Sequence, residues 1–428
     1  MRIEDKKIMF LRKAHKVRLL DLAEAIGVSA SFVYSVENRK SQYSDKMLER
    51  AKDFFNIKDM PLSQFEYDTA KIRLYVMLDY IRDSRFDEAR AIIKEMTNIV
   101  NLDPCDNELP MLYRLFEVAF LLAIRDIDTA EEKLNYLHSR LDDMNDEHRC
   151  YFYSNMGQLN IFRVHYMDAL GFYKQALELS KNIADFLLYE ITRLHHLVGM
   201  CYSYLELPNI AIYYMQKNRE LYNVRNRDRF RLSSDLLLAL NFIKVNNLSD
   251  AENFLNDCLV RAMSIQDNNH TGVARHYLGY LNMKTENWQI AIEHFDKALE
   301  CHEKGSTSYL AVLHRKILCL TKSRKFSNAK KLLEETRPLH CDDGIFSIYF
   351  EALGHYITIS SRISIYNDES AEYIETVAIP YFKKACSYFL AVDYCMLLES
   401  YFEIKNNKKA LLMSQAIREI YERCLFYQ

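Results

Sequence analysis

The amino-acid sequence predicts an all-α protein in which a small N-terminal helical domain precedes a long array of paired helices. Two observations indicate this fold class. Helix-breaking residues are scarce, since the 428 residues include only 9 Gly and 6 Pro, while 49% of the residues are hydrophobic. A pattern of small and apolar residues also returns about every forty residues, which is typical of helical repeat proteins.

Charge is distributed unevenly along the chain. Residues 1–58 carry 13 Lys and Arg against 8 Asp and Glu, a net charge of +5, whereas the remainder carries 43 against 51, a net charge of −8. A basic segment ahead of an acidic one points to a nucleic-acid contact confined to the N-terminal domain. The ten Cys residues lack metal-ligand spacing, and the N-terminus lacks the apolar core of a secretion signal. We therefore expect a cytoplasmic protein with no metal, no cofactor and no membrane partner.

Four helices are expected in the N-terminal domain, residues 1–58. The first spans Ile3 to Ala14, and the second spans Leu19 to Ile26 and is closed by Gly27, which supplies the left-handed turn at a helix end. Ser29 caps a third helix from Ala30 to Val36. Two short helices around a Gly-containing turn make a helix-turn-helix motif. Apolar residues at helical spacing mark a fourth helix: Met47, Leu48, Ala51 and Phe54 or Phe55.

The run LAEAIGVSASFVYSVENRK resembles the Cro and phage-repressor type of helix-turn-helix domain. Arg12 and Glu37 match a pair that forms a buried salt bridge in those domains. The resemblance implies that the third helix contacts DNA, with Arg39 and Lys40 suited to phosphates. The positions that match the core of those domains are Leu22, Ala23, Ile26, Val28, Val33 and Val36. The predicted DNA-binding residues are the polar and basic ones on or just after the third helix: Ser29, Ser31, Tyr34, Ser35, Asn38, Arg39 and Lys40.

A linker is predicted at residues 59–66, which contain Pro61 and no strong periodicity. The repeat pattern follows in residues 67–428: an apolar residue, an Ala three positions later and another apolar residue four positions after that. The frame is expected again at Ala378 and Phe382, after an extended helix or loop near Ser360–Ser370. The Ala positions are 41, 39, 42, 40, 40 and 38 residues apart. They are Ala89, Ala130, Ala169, Ala211, Ala251, Ala291 and Ala329.

This frame resembles the tetratricopeptide repeat, in which Gly-x-x-Tyr on one helix is followed by Ala-x-x-x-Phe on the next. Gly199 and Tyr202 match the first half, and Ala291 and Phe295 match the second. The Gly residues are expected where two helices approach closely. The resemblance implies a right-handed superhelical solenoid of eight or nine repeats, whose first helices line a concave face.

Polar residues on the first helix of each pair are the candidate ligand groups. Burying the unpaired backbone groups of an extended peptide costs about 1–3 kcal/mol each, and Asn suits such a groove because it both donates and accepts hydrogen bonds. Asn155 lies two residues before Gly157, where tetratricopeptide domains often place a peptide-binding Asn. Arg193 and Arg275 are suited to hold a carboxylate. The predicted peptide-binding residues are Asn155, Gln158, Arg193, His196, Asn241, Lys244, Arg275, His276 and Tyr280.

A Cro-type domain joined to such a repeat domain resembles the quorum-sensing regulators of Gram-positive bacteria and their phages that are grouped as RRNPP. The length of the repeat domain is most similar to that of the NprR type. The resemblance implies a cytosolic transcriptional regulator that binds a palindromic operator in double-stranded DNA. It also implies a homodimer or higher oligomer, controlled by a short signalling peptide in the concave face.

Two other functions stay open. Rap-type members of the family bind response regulators and promote their dephosphorylation, so the chain is alternatively a Rap-like protein that acts on a response regulator. The second alternative is a scaffold whose N-terminal domain is vestigial. An enzyme with a site of its own is not expected, because the sequence has no Gly-rich phosphate loop, no G-x-S-x-G and no H-E-x-x-H. No catalytic residue is therefore predicted.

Overall fold

In the computed structural model of the chain, the described residues are helical and contain no strand. The all-α prediction is confirmed. Residues divide into two compact units, Met1–Arg163 with Gln175–Ala184, and Val164–Lys174 with Asp185–Gln428. The structure describes residues 3–38, 40–56, 64–100, 108–183, 188–221, 228–340, 346–361 and 367–426.

Four short helices form the start of the first unit, and all four were expected from the sequence. The chain turns by 107° between α2 and α3, which is the angle of a helix-turn-helix motif. Gly27 makes this turn at a φ of 77°, and the Ser29 hydroxyl caps the next helix by accepting from the Phe32 N–H at 3.3 Å. The helices are α1 (Ile3–Ala14), α2 (Leu19–Ile26), α3 (Ala30–Glu37) and α4 (Asp45–Phe55).

The apolar faces of these four helices meet in one core. Val28 packs against this core while partly buried. No single helix in the described ranges is long and apolar enough to span a membrane; α2 and α3 meet those length and composition limits only when they are counted together. The buried core residues include the predicted Leu22, Ala23, Ile26, Val33 and Val36.

Helices continue to the end of the described chain, and α5 begins inside the predicted linker, of which residues 59–63 lie outside the described residues. The first group is α5 (Gln64–Arg82), α6 (Phe86–Val100), α7 (Glu108–Ala123), α8 (Ile127–His138), α9 (Asp146–Phe162) and α10 (Tyr166–Ser180). The second group is α11 (Leu188–Tyr204), α12 (Pro208–Leu221), α13 (Asp228–Lys244), α14 (Leu248–Ser264), α15 (Asn268–Lys284), α16 (Trp288–Glu300), α17 (Thr307–Lys322), α18 (Phe326–Thr336), α19 (Phe346–Ser361), α20 (Asp368–Tyr373), α21 (Ile379–Lys384), α22 (Tyr388–Lys405) and α23 (Asn407–Phe426).

Helix pairs follow the predicted repeat. Each apolar residue that opens the frame is the first residue of an even-numbered helix from α6 to α18. All seven predicted Ala residues are 0% exposed, because a larger side chain would keep the paired helices apart. Within the second unit α13 packs against α14 and α15, and α15 packs in turn against α16 and α17.

The turn inside each pair has a left-handed residue that the sequence does not predict. Two residues before the second helix, a residue other than Gly adopts a φ between 54° and 64°. Such values are uncommon outside Gly, so the usual Gly signal for a left-handed turn is missing. These residues are Ser84, Arg125, Val164, Glu206, Asn246, Glu286 and Arg324.

The same turn corrects the predicted register near the C-terminus. Cys386 has a φ of 56°, and α22 begins two residues later at Tyr388, with Ala391 fully buried at the Ala position of the frame. The frame expected at Ala378 and Phe382 is therefore wrong, and these two buried residues belong to the preceding helical stretch. A π-helical segment, Ile374–Ala378, joins α20 to α21 there. Of the region near Ser360–Ser370, residues 362–366 lie outside the described residues.

Close helix approach explains two of the repeat glycines. A Cβ atom built on Gly279 would lie 2.6 Å from the Phe295 ring, and one on Gly199 would lie 2.6 Å from the Met215 methyl carbon. Real Cβ contacts do not occur at such distances. The predicted role of these glycines in packing is confirmed.

Candidate DNA-binding and ligand-binding surfaces

Most of the predicted DNA-binding residues lie on α3 or at its two ends. Tyr34 is 60% exposed, and Ser29, Ser31, Asn38 and Lys40 are also exposed. Ser35 is half-buried and shares a hydrogen bond of 3.0 Å with Ser41. Arg39 lies outside the described residues.

Some of these polar groups already bond within the helix. The Asn38 side-chain amide donates to the Tyr34 carbonyl at 2.8 Å, and the Ser29 and Ser31 hydroxyls lie 2.9 Å apart. Tyr34 and Lys40 are the longest side chains among the exposed residues of this set. A tyrosine hydroxyl and a lysine ammonium both bond phosphate oxygens in protein–DNA complexes.

Arg12 and Glu37 connect α1 to the end of α3. The Arg12 Nε lies 2.6 Å from Glu37 Oε1, and Nη2 lies 2.8 Å from Oε2, which makes a bidentate pair. Arg12 Nη1 also donates to the Val17 carbonyl at 2.8 Å. Hydrogen bonding to Glu37 raises the pKa of Arg12. The predicted ion pair is confirmed, and it joins α1 to the C-terminal end of α3.

The predicted ligand residues divide between the two units. Asn155 and Gln158 lie on α9 in the first unit, and the other seven lie in the second. Asn155 is only 8% exposed, and its amide nitrogen donates to the Leu115 carbonyl at 2.8 Å. That bond joins α9 to α7. Gln158 is half-buried.

Three of the residues in the second unit bond to neighbouring side chains or to backbone. Arg193 Nε pairs with the buried Glu190 at 3.2 Å. His196 Nδ1 lies 2.9 Å from the Ser234 hydroxyl, and burial lowers the pKa of His196 to about 4, so the ring is neutral. Asn241 is fully buried, and its amide nitrogen donates to the Leu237 carbonyl at 2.7 Å and to the Ser203 hydroxyl of α11 at 3.0 Å.

Lys244, at the end of α13, belongs to a buried polar group. Its Nζ donates to the Ser203 carbonyl at 2.9 Å and lies 3.8 Å from Glu206 Oε1. The other oxygen of Glu206 accepts from the Phe389 N–H at 2.7 Å. Burial raises the pKa of the Glu206 carboxyl and lowers that of Lys244. Glu206 and Phe389 carry no sequence signal, because 183 residues separate them.

A cavity of about 170 Å³ opens beside this group, and it brings together Lys244 and Tyr280 from the predicted set. Arg275 and His276 precede Tyr280 on α15 but do not line the cavity. The cavity residues that motif arguments miss include Lys284, His314 and Arg315. A periodic signal exists for one of them, since α13, α15 and α17 all end in lysine: Lys244, Lys284 and Lys322.

Within the described ranges, no group of three or more His, Cys, Asp or Glu residues is placed to hold a metal ion. The lining of the cavity carries three cations, two carboxylates and several aromatic rings. The Arg315 guanidinium carbon lies 3.9 Å from the centre of the Tyr280 ring, and the Lys284 Nζ lies 5.8 Å from it. Such a site can bind an anion or a carbonyl oxygen.

No protein-family model matches the chain. Among curated proteins, the chain is 25% identical over 388 residues to the transcriptional activator NprA of Geobacillus stearothermophilus, which covers 89% of this chain and 94% of that protein. It is 23% identical over 250 residues to the regulatory protein RapD of Bacillus subtilis (strain 168), which covers 58% of this chain and 70% of the relative.

Solved structures show the same fold. A structure of NprR in complex with its cognate peptide NprX superposes with a TM-score of 0.66 at 17% identity, over 82% of this chain and 99% of that one. A Rap protein complexed with Competence and Sporulation Factor gives a TM-score of 0.71 at 14% identity, over 83% and 99%. The chain therefore has the helical-repeat fold of those proteins, as the sequence predicts.

Proposed function

We propose that this chain, which resembles the RRNPP regulators and their NprR type, is a transcriptional regulator that binds operator DNA and responds to a short peptide. The observation that carries the proposal is the intact helix-turn-helix. Its α3 is held by the bidentate Arg12–Glu37 pair and presents a polar outer face. The similarity to a transcriptional activator along most of both chains supports the same function.

DNA contact through α3 sets a geometric requirement on the assembly. Two such domains read two half-sites when they are spaced by about one helical turn of DNA, roughly 34 Å. We propose that a homodimer or higher oligomer supplies the second domain. In this proposal the two domains have one arrangement that fits the half-sites and one that does not. A bound peptide changes the DNA affinity only because it binds one of these arrangements more tightly than the other.

Within the repeats, the second unit supplies the proposed peptide surface. Lys244 and Tyr280 line its cavity, and Arg275 and His276 lie on the same helix as Tyr280. Arg193, His196 and Asn241 bond to neighbouring groups of the chain, so we assign them to shaping the surface. The bond of Asn155 to the Leu115 carbonyl favours a similar supporting role for Asn155.

Selection from a random double-stranded DNA library tests the proposed DNA binding. We expect the full-length protein to enrich a sequence with two-fold symmetry. The Tyr34→Ala and Lys40→Ala variants should retain less of it, and Arg39→Ala should weaken binding to all sequences alike. Retention of unrelated sequences by the wild type and by the variants to the same degree would reject the proposal.

A second function is favoured by the similarity to RapD and to the Rap structure. In that case the chain binds a response regulator and shortens the lifetime of its aspartyl phosphate. The test is the half-life of a purified phosphorylated response regulator from the same genome, with and without the chain. An unchanged half-life rejects this function and leaves the DNA-binding proposal untouched.

A further inference from the structure

We propose that the cavity in the second unit binds a carboxylate attached to a small apolar body, with Arg315 and Lys284 as the groups that hold the carboxylate. The inference deepens the proposed function, because it names the chemical group that the cavity of the proposed peptide surface takes; it rests on the proposed peptide binding where the carboxylate is a peptide's, and it does not depend on DNA binding. The carboxylate has two possible sources, the end of a peptide or a free organic acid, and the chemistry is the same for both.

The charged side chains that line the cavity differ in whether they already have a bonding partner. Two carboxylates line it, and each is already engaged. Glu206 accepts the Phe389 N–H and lies near Lys244, and Asp393 accepts from Lys322 at 2.6 Å.

Two of the cations that line the cavity have no such partner. Among the described residues, neither Arg315 nor Lys284 has a carboxylate within 4.0 Å. A cation that is partly removed from water and has no carboxylate in direct contact is only partly stabilised, because the attraction between Lys284 and Asp393 and between Arg315 and Glu206 acts over a longer distance. An anion in the cavity would therefore gain two charge-assisted contacts that the protein itself does not use.

Tyr280 orients the first of these cations. The Arg315 guanidinium stacks over its ring with 3.9 Å between Cζ and the ring centre. Stacking occupies the face of the guanidinium and leaves the N–H groups at its edge, which match the two oxygens of a carboxylate. Lys284 approaches the same ring at 5.8 Å and is the more exposed of the two cations.

His314 supplies a second, independent observation. It lines the cavity at 6% exposure, and its Nε2 has no hydrogen-bond partner among the described residues. The ring meets Tyr349 and Phe350 edge-on, with centroids 5.8 and 5.7 Å away. Burial of a polar atom without a partner is unfavourable, and a ligand oxygen that reaches this nitrogen removes the penalty.

The size and the walls of the cavity limit the ligand. Its volume of about 170 Å³ is close to that of an apolar cavity of about 150 Å³ that takes one benzene ring. The apolar wall consists of Leu318, Phe346, Phe389 and Leu390. The ligand is thus a carboxylate on a body of about ring size, such as one apolar residue.

Benzoate and benzamide make a matched pair of probes, because they share a shape and differ in charge. Calorimetric titration of the full chain should show benzoate binding about ten-fold more tightly than benzamide. Arg315→Gln and Lys284→Gln should each weaken benzoate binding by about the same factor. Lys331→Gln is the control, since Lys331 lies on α18 outside the cavity and is exposed.

Two larger probes distinguish the source of the carboxylate. Tighter binding of N-acetylphenylalanine than of 3-phenylpropanoate assigns the site to a peptide end, and the reverse order assigns it to a free acid. Failure of benzoate and of both larger acids to bind overturns the proposal, as does equal binding of benzoate and benzamide. The comparison in the wild-type chain decides the matter even if a variant fails to fold.

Discussion

Glu206 accepts a hydrogen bond from the main-chain N–H of Phe389 at 2.7 Å, across 183 residues of sequence. Glu206 lies in the turn between α11 and α12, and Phe389 lies in the first turn of α22. A carboxylate is favourable there, because the first N–H groups of a helix lack partners within it. Asn209 adds a second link by donating to the Leu425 carbonyl at 3.0 Å. The last helices of the second unit are thus bonded to its beginning.

Replacing Glu206 should weaken the contact between the first and last helices of the second unit. Glu206→Ala removes the acceptor and leaves Lys244 buried without its carboxylate, so we expect the free energy of unfolding to fall by about 1–3 kcal/mol. Hydrogen exchange should quicken at the start of α22. Glu335→Ala is the control, since this exposed residue pairs with Lys331 of the same helix, α18, and its loss should change stability by less than about 0.5 kcal/mol. An unchanged rate of hydrogen exchange in α22 would show that the Glu206 bond does not hold these helices together.

Two glycine substitutions should have opposite effects. Gly279→Ala places a methyl group against the Phe295 ring, and overpacking typically costs about 1–3 kcal/mol. Gly171 lies inside α10 with nothing within 4 Å of a built Cβ. Gly171→Ala should therefore stabilise the chain by up to about 1 kcal/mol through helix propensity. Thermal unfolding of both variants measures the difference, and equal shifts would show that the close approach at Gly279 is not limiting.

Substitution of Asn155 tests whether this residue supports the fold or binds the ligand. Asn155→Ala removes the bond to the Leu115 carbonyl, and the loss of one such bond costs about 1 kcal/mol. We expect a lower melting temperature for this variant than for the wild type. An unchanged melting temperature together with a loss of peptide binding would show that Asn155 contacts the peptide and does not support the fold.

Acid should destabilise the fold through buried histidines. Burial lowers the pKa of His148 and His196 to about 4 and that of His314 to about 3. Between these values and the ordinary pKa of 6.5, the unfolded chain binds more protons than the folded one. The free energy of unfolding therefore falls as the pH drops from 6.5 through 4, by up to about 1.4 kcal/mol per pH unit for each histidine.

Urea unfolding at pH 7.5 and at pH 5.0 measures this loss. His314→Gln removes one of these groups, so the stability of the variant should fall less between the two pH values than that of the wild type. An equal loss in both proteins would show that other groups carry the acid sensitivity.

Local sequence signals predict much of the fold. Ala291 and its six counterparts repeat at nearly constant spacing because each helix pair repeats the same close contact, and all seven are buried as expected. Arg12 and Glu37 could be paired because a known domain type carries that pair. The turn at Cys386 could not be seen, since it uses a left-handed residue other than Gly after an interrupted repeat.

Contacts between distant residues explain most of what the sequence leaves out. The Glu206–Phe389 bond and the cavity around Arg315 depend on which turns and helices meet across the second unit. The role of Asn155 depends on a backbone carbonyl of another helix, which no side-chain pattern reveals. The sequence thus shows which positions carry polar side chains, and only the packing of the helices shows which group each side chain bonds to.

Genome-wide DNA occupancy of the tagged chain in its host, compared at low and high cell density, tests peptide-controlled DNA binding most directly. We expect a palindromic sequence to be enriched, with occupancy that differs between the two densities as a secreted peptide accumulates. That difference should disappear when peptide import is blocked. Occupancy without any enriched palindrome at either density would contradict the proposed function.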